Sequence, residues 1–222
     1  IKSPEIKLRT FLFLTMEITE LYKLFLSSNG ITTDSRKIAA NQIYFALKGD
    51  NFNGNKFAQS AIEQGAAFAI IDEVEYQQSQ RHILVENVLQ TLQTLAHFHI
   101  IQIKPKAIIA ITGSNGKTTT KELVHAVLAS TFRTHYTKGN LNNHIGIPIT
   151  ILEMEKNTEI AVIEMGANHQ KEIESYCKYV EPTHGIITNC GKAHLEGFGG
   201  EEGVRKGKGE LFDYIREHNG TI

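Results

Sequence analysis

The sequence has little of what secreted, membrane-spanning or nucleic-acid-binding proteins depend on. Its two cysteines, Cys177 and Cys190, lack metal-ligand spacing, so we expect free thiols in a reducing cytoplasm. The formal net charge of -1 gives no bulk attraction to nucleic acid or to an anionic membrane. No apolar run approaches the roughly 18 residues that a membrane-spanning helix needs. These absences favour a cytoplasmic protein without a nucleic-acid or membrane partner.

Residues 1–15 contain a short apolar run that superficially resembles a signal peptide. The run covers only residues 11–14, and no small-residue cleavage site follows it, so secretion is not expected. A natural start at Met16 would make residues 1–15 an upstream extension or a cloning remnant.

The strongest motif lies in residues 108–123, which read IIAITGSNGKTTTKEL. An apolar β-type run precedes a glycine-containing polar loop, and a helix-compatible run follows it. Glycines let backbone N–H groups turn toward an anion, and a helix N-terminus adds partial positive charge. We therefore predict a phosphate-binding loop. The predicted nucleotide-binding residues are Gly113, Ser114, Asn115, Gly116, Lys117, Thr118 and Thr119.

Two side chains in this loop have predicted individual roles. Lys117 would reach the β- and γ-phosphates of a nucleotide, and the Thr118 hydroxyl would bind Mg²⁺. The general phosphate-loop pattern has a glycine at the position of Ile111, so the motif here is a shortened one. An ordinary glycine turn is the alternative, but it leaves Lys117 and the consecutive threonines unexplained.

The hydrophobic pattern predicts an α/β fold with two units. A hydrophobic share of 41% in 222 residues suffices for a sizeable core, so one or two globular domains are expected. We assign residues 16–86 to a small α/β domain and residues 87–222 to a doubly wound, mainly parallel sheet. In the second unit we predict strands at 107–112, 133–137, 160–164 and 185–189, and helices at 117–130, 144–153 and 169–179.

Candidate functional side chains follow several of these strands, where ligands bind in parallel sheets. Glu164 ends one strand, and a carboxylate across from a phosphate loop suits Mg²⁺; a solvated strand-end glutamate is the alternative. Asn142 and Asn143 lie in the loop GNLNNHIGIP, which supplies many donors and acceptors. A plain loop with Asx turns is the alternative there.

The remaining candidates are weak on composition alone. His194 follows another strand, but an ordinary surface histidine is the default interpretation. Lys206 and Lys208 lie in a basic segment, for which composition favours a solvated loop or helix face.

Taken together, these segments resemble the Mur ligases, the ATP-dependent amide-forming enzymes of peptidoglycan synthesis. The resemblance covers nearly everything from residue 31 onward, and the family's shortened phosphate loop accounts for Ile111. The matching segments, in order, are TDSR, IYFALKGDNFNGNKFAQSAIEQGAAFAI, TGSNGKTTTKE, GNLNNHIGIPIT, VIEMGANHQKEI and TNCGKAHLEGFGG.

The resemblance implies roles for residues that spacing alone leaves open. Lys208 falls where the family has a carbamylated lysine, an anionic metal ligand in place of an ammonium that would repel Mg²⁺. The alanine before that lysine is Gly207 here. The implied catalytic residues are Lys117, His194 and Lys208. The implied metal ligands are Thr118, Glu164, His194 and Lys208. The implied substrate contacts are Ser35, Arg36, Asp50, Asn51, Phe52, Asn142 and Asn143.

The resemblance also implies a reaction, an amide bond formed through an acyl phosphate with ATP and Mg²⁺ as cofactors. The implied substrates are UDP-N-acetylmuramoyl-tripeptide and D-alanyl-D-alanine. The alternatives are the family member that adds the third amino acid, a phosphate-loop kinase, and a non-catalytic fragment that binds nucleotide or UDP-sugar. Residues 16–86 would be the UDP-sugar domain and residues 87–222 an incomplete ATP-binding domain. The family's third domain has no counterpart here, so we expect no full ligase activity. Separately, we expect a monomer, since no interface signature stands out in the sequence.

Overall fold

The computed structural model describes residues 16–192 and 194–222. Our interpretation of residues 1–15 as an extension or remnant lies outside the described residues. The described chain contains two four-stranded parallel sheets and a small two-stranded hairpin. This architecture confirms the predicted α/β class. None of the helices in the described part combines the length and the hydrophobicity that crossing a membrane requires.

The first unit combines α-helices with short strands. In chain order they are α1 (Ile18–Ser27), β1 (Ile31–Thr32), β2 (Ile43–Phe45), β3 (Lys48–Gly49), β4 (Phe52–Asn53), α2 (Ala58–Glu63), β5 (Phe68–Ile71) and β6 (His82–Leu84). The sheet has the order β1-β2-β5-β6. Residues 48–54, whose turn formers suggest a loop, contain the antiparallel hairpin of β3 and β4 instead.

The central strands β2 and β5 of the first sheet are buried on both faces, which explains their uninterrupted apolar sequences. Along β2, Ile43 and Phe45 belong to the main core of the molecule, whereas Tyr44 belongs to a smaller cluster with α2. Side chains of a strand alternate between the two faces of a sheet, so one short strand serves both cores.

The second unit begins with a connecting helix, α3, and carries the phosphate-loop motif. Its elements are α3 (Val88–Ile103), β7 (Ala107–Thr112), α4 (Lys117–Leu128), β8 (Thr134–Tyr136), α5 (Gly146–Leu152), β9 (Ile160–Glu164), α6 (Glu172–Val180), β10 (His184–Ile187), α7 (Leu195–Phe198) and α8 (Glu201–Glu217). The Asn87 side chain caps α3, since its Oδ1 accepts a hydrogen bond from Gln90 N at 2.8 Å.

The register of the second sheet brings three strand ends together. The strand order is β10-β7-β9-β8, and all pairs are parallel. Ile111 pairs with Glu164 on one side of β7, and Thr112 pairs with Ile187 on the other. The loop after β7 therefore starts between the ends of β9 and β10, the edge at which parallel sheets bind ligands.

Helix α8 corrects the interpretation of the basic segment near the C-terminus. Lys208 is only 2% exposed and lies on the buried face of the helix with Leu211 and Ile215, so its interpretation as a solvated lysine is wrong. Lys206 is exposed and pairs with Glu202 at 3.0 Å. Composition could not separate the two lysines, because helical periodicity and packing decide which one is buried.

Candidate nucleotide and metal site

Two glycines shape the loop between β7 and α4 for different reasons. Gly113 has φ +142° and Gly116 has φ +77°, values that L side chains rarely adopt. A Cβ at Gly113 would lie 2.0 Å from Thr188 Oγ1, whereas a Cβ at Gly116 would have no heavy atom within 4 Å. Gly113 thus allows the loop to pack against the segment after β10, and Gly116 leaves open space at the start of α4.

The segment that follows β10 holds the loop in place. Asn189 accepts hydrogen bonds from Ser114 N at 3.0 Å, through its carbonyl, and from Asn115 N at 3.1 Å, through Oδ1. Thr188 Oγ1 donates to Asn115 O at 2.6 Å, and Ser114 Oγ donates to Gly191 O at 3.1 Å. The pattern predicts Asn189 only as the last residue of a strand at 185–189, whereas β10 ends at Ile187. It gives no role to Thr188, because neither residue lies in the loop motif.

The first turn of α4 faces the open space beside Gly116. Its N-cap residue is Gly116, which has no side chain to accept hydrogen bonds from the free N–H groups of that turn. The Lys117 ammonium lies at the same place, donating to Gly113 O at 2.8 Å and Ser114 O at 3.3 Å. Free amides, a helix N-terminus and a lysine form an arrangement that suits a phosphate group.

Glu164 lies beside this loop and is 1% exposed, so the alternative of a solvated strand-end glutamate is wrong. Its Oε2 accepts a hydrogen bond from Thr118 Oγ1 at 3.1 Å, and its Oε1 accepts one from Asn142 Nδ2 at 2.8 Å. Its backbone N–H donates to Thr137 Oγ1 at 2.9 Å. Hard cations such as Mg²⁺ prefer oxygen ligands, and the carboxylate and hydroxyl here fit that preference.

The two predicted asparagines have different contacts. Asn142 reaches Glu164, whereas Asn143 Oδ1 accepts hydrogen bonds from Ile145 N at 3.1 Å and Gly146 N at 2.8 Å. The second pattern is a local turn that starts α5, the role that Asx turns ordinarily have. A substrate contact for either residue stays a prediction.

Lys208 lies in an enclosed position near the loop. Its Nζ donates to Ala167 O at 3.3 Å and lies 5.0 Å from the centre of the Phe198 ring. Burial, helped by the nearby charge of Lys117, lowers the pKa of Lys208 to about 8. Gly207 allows this packing, because a Cβ there would lie 2.4 Å from Phe198 Cε1.

The structure brings only some of the predicted metal ligands into contact with one another. Thr118 and Glu164 are hydrogen-bonded, whereas His194 is exposed at the start of α7 with φ +55°. Within residues 16–192 and 194–222, no group of three or more His, Cys, Asp and Glu side chains could hold a metal ion. The roles of His194 and Lys208 as metal ligands therefore stay predictions.

The free energy of unfolding should depend on pH through Lys208. Its pKa of about 8 in the folded protein lies below the value of about 10.4 in an unfolded chain. Between these values the unfolded state binds more protons, so stability should rise with pH. Lys208→Met should remove this rise, which urea unfolding from about pH 7.5 to about pH 9.5 in buffer free of CO₂ would measure.

Lys206→Met is the matched control, since this lysine lies on the exposed side of the same helix, and it should keep the rise. Burial raises the pKa of Cys177 to about 12, and that thiol opposes the trend above about pH 9. The quantity to compare is therefore the pH dependence of the free energy of unfolding in the wild type and in Lys208→Met, since both proteins contain Cys177. Equal pH slopes in these two proteins would contradict a lowered pKa.

The predicted sugar-nucleotide contacts near β1 lie in the first unit. Arg36 is exposed and pairs with Asp34 at 2.8 Å, and this bond holds the pKa of Asp34 down to about 2. The Ser35 carbonyl accepts a hydrogen bond from Gln64 Nε2 at 3.3 Å. These contacts order the segment after β1 without showing what it binds.

The predicted contacts of the hairpin centre on an aromatic pair. Phe52, 46% exposed, stacks on Phe57, 40% exposed, with ring centroids 5.4 Å apart and planes 9° from parallel. Asp50 and Asn51 lie at the exposed turn between β3 and β4. Sequence reasoning missed Phe57, although its place five residues after Phe52 at the start of a helix was a usable signal.

The fold and this loop define a parallel α/β protein of the phosphate-loop class. The family description "Mur ligase middle domain" matches residues 111–222, and "Mur ligase family, catalytic domain" matches residues 27–104. The chain belongs to the Mur ligase family, as the resemblance predicted.

Similar proteins within the family are longer than this chain. UDP-N-acetylmuramoyl-tripeptide–D-alanyl-D-alanine ligase of Bacillus subtilis is 41% identical over 85% of this chain and 42% of the relative. A crystal structure of MurF from Acinetobacter baumannii has a TM-score of 0.78 at 36% identity, covering 85% of this chain and 41% of that one. MurF ligase from Thermotoga maritima in complex with ADP has a TM-score of 0.79 at 33% identity, covering 86% and 44%. The chain thus spans less than half the length of these relatives.

Proposed function

We propose that this chain is the nucleotide-binding part of an ATP-dependent ligase that adds D-alanyl-D-alanine to UDP-N-acetylmuramoyl-tripeptide. The observation that carries the proposal is the contact of Thr118 with Glu164 beside the open N-terminus of α4. The Bacillus subtilis relative of that name and the ADP complex of the Thermotoga maritima protein support it. Because the reaction consumes ATP, we propose a cytoplasmic location.

The proposed reaction activates a carboxylate, which is a poor acylating agent because oxide is a bad leaving group. ATP donates its γ-phosphoryl group to the carboxylate of the tripeptide and forms an acyl phosphate. The amine of D-alanyl-D-alanine attacks the acyl carbon, and phosphate leaves as the amide bond forms. Closure of the domains of the longer protein would exclude water that hydrolyses the intermediate.

The residues near the phosphate loop would stabilise and orient the transferring group. Lys117 and the first-turn amides of α4 would neutralise the charge that spreads over the phosphoryl oxygens. Mg²⁺, held by Thr118 and Glu164, would supply further charge neutralisation when bound. His194 and Lys208 complete the proposed set of metal ligands.

Carbamylation of Lys208 is part of the proposal. The neutral amine attacks the carbon of CO₂ and loses a proton, which converts a cation into an anionic oxygen ligand. The lowered pKa of Lys208 increases the neutral fraction that this reaction needs. Native mass spectrometry of the chain in bicarbonate, with Lys208→Met as control, would detect the added CO₂.

The sugar-nucleotide end of the tripeptide substrate is assigned to the first unit. In this proposal Ser35, Arg36 and the exposed hairpin residues Asp50, Asn51 and Phe52 contact it, and Asn142 and Asn143 face the peptide end. An exposed, stacked aromatic pair is suited to contact a planar base, which supports the hairpin assignment.

The deciding experiment for the longer protein measures phosphate release. Release should require UDP-N-acetylmuramoyl-tripeptide and D-alanyl-D-alanine together, and Lys117→Ala should abolish it. Release that requires a free amino acid and the dipeptide precursor would identify the family member that adds the third amino acid. A phosphorylated product without an amide bond would identify a kinase.

A second candidate for these 222 residues is binding of both ligands without turnover. Calorimetry with the tripeptide substrate and with a non-hydrolysable ATP analogue would separate binding from catalysis. Binding of both ligands without phosphate release supports this second candidate, and binding of neither would contradict the proposed function.

A further inference from the structure

Lys121 is a buried lysine for which the proposed reaction has no use. Its side chain is 0% exposed in α4, and its Nζ makes no hydrogen bond with any described residue. Lysines are almost never fully buried unless they are paired, because removing an ammonium from water is costly. Such a group needs an explanation in its surroundings.

Two carboxylates and an aromatic ring surround the Lys121 ammonium. Nζ lies 3.2 Å from Glu122 Oε1, 3.8 Å from Glu164 Oε2 and 5.6 Å from the centre of the Tyr136 ring. The Glu122 side chain is 51% exposed and remains solvated, whereas the Glu164 side chain is 2% exposed. In the described part of the chain, Lys121 is the one cation within ion-pair distance of Glu164.

We propose that Lys121 is a positioning residue that serves as a built-in counter-cation for Glu164. The proposal rests on the proposed function, in which Glu164 holds Mg²⁺ beside the phosphate loop. Thr118 and Asn142 donate neutral hydrogen bonds to Glu164, but these do not cancel a buried negative charge. The positive charge of Lys121, which lies on α4, balances the negative charge of Glu164.

The distance between the two charges matters for this role. At 3.8 Å and without a hydrogen bond, the ammonium attracts the carboxylate but occupies none of its lone pairs. Glu164 therefore keeps oxygen lone pairs for a metal ion. The face of Tyr136 helps to hold the ammonium in place through a cation–π interaction.

Helical spacing places Lys117 and Lys121 at different depths, which suits them to different roles. Lys121 follows Lys117 by one helical turn, so both lie on the face of α4 that is directed at the sheet. Lys117 is at the mouth of the loop, and Lys121 lies one turn deeper, beside β9. One lysine would contact the nucleotide, and the other would act on it only through Glu164.

The first test compares ADP affinity with and without Mg²⁺ in the 222-residue chain, by calorimetry. Lys121→Met should reduce the gain in affinity that Mg²⁺ provides by about tenfold or more, because a buried Glu164 carboxylate without its counter-cation is no longer held beside Thr118. We expect this loss to outweigh the relief of the repulsion between the ammonium and Mg²⁺. The affinity for Mg²⁺-free ADP should change by less than about twofold. Glu122→Gln, which removes the solvated partner, should leave the gain unchanged. An unchanged or larger gain in Lys121→Met, or equal losses with and without Mg²⁺, would overturn the proposal.

The second test is a double-mutant cycle on stability, which does not depend on nucleotide binding. Lys121→Met should lower the melting temperature clearly in the wild-type background and far less in a Glu164→Gln background, because a neutral amide needs no counter-cation. If Lys121→Met alone fails to fold, the double variant should still fold. Additive losses, or a double variant that fails to fold while Glu164→Gln folds, would refute the coupling.

The two tests also separate this inference from the proposed function. A wild-type chain that binds no ADP in Mg²⁺ would contradict the proposed function. The stability cycle would then still show whether Lys121 and Glu164 act as a pair.

Discussion

Lys117→Ala should lower the affinity of the chain for Mg²⁺–ATP at least about 100-fold, a loss of roughly 2.7 kcal/mol. Hydrogen bonds to charged groups contribute about 1.5–3 kcal/mol each, and the Lys117 ammonium would make more than one with the phosphates. The folded state should change little, because the lysine is half-buried and bonds only to carbonyls of its own loop. Calorimetry with a non-hydrolysable analogue measures the loss.

Lys178→Ala provides the matched control for this prediction. Lys178 lies on α6, is largely exposed and pairs with Glu174 at 3.0 Å, so its removal should leave ATP affinity within about twofold. Circular dichroism would confirm that both variants fold. A folded Lys117→Ala protein with the affinity of the wild type would show that the loop before α4 does not bind the phosphates.

Much of the fold could be predicted from local patterns in the chain. Strands β7 and β9 occupy the predicted residues, because buried parallel strands are continuous apolar runs between turn formers. The predicted ends of helices agree less well with the structure. Helix α6 begins at Glu172 instead of residue 169, because Glu172 Oε2 accepts hydrogen bonds from Asn168 N and His169 N. This side chain therefore caps the turn before the helix.

The site was predictable only where it is local in sequence. The phosphate loop lies within one motif, and the strand end of Glu164 follows from a β-type run. The contact between Asn142 and Glu164 spans 22 residues, and no local pattern encodes it. The burial of Lys121 and Lys208 likewise depends on how α4 and α8 pack, which charge composition does not report.

The same substitution at the two loop glycines should destabilise the fold by different amounts. Gly113→Ala should cost about 3 kcal/mol or more of folding free energy, because a Cβ would lie 2.0 Å from Thr188 Oγ1 at an unfavourable φ. Gly116→Ala should cost about 1 kcal/mol, since only the left-handed backbone conformation opposes it. Urea unfolding measures both losses.

Gly116→Ala should also weaken nucleotide binding. The methyl group of Gly116→Ala would enter the space in which we propose that the phosphates lie, so ATP affinity should fall at least about tenfold in a folded protein. Gly209→Ala in α8 is the control, because its Cβ meets nothing within 4 Å and alanine favours a helix by about 0.5–1 kcal/mol. That variant should be more stable and bind ATP normally. If Gly116→Ala bound ATP with the affinity of the wild type, the phosphates could not lie in the space beside Gly116. That conclusion would hold even if Lys117 proved essential for binding.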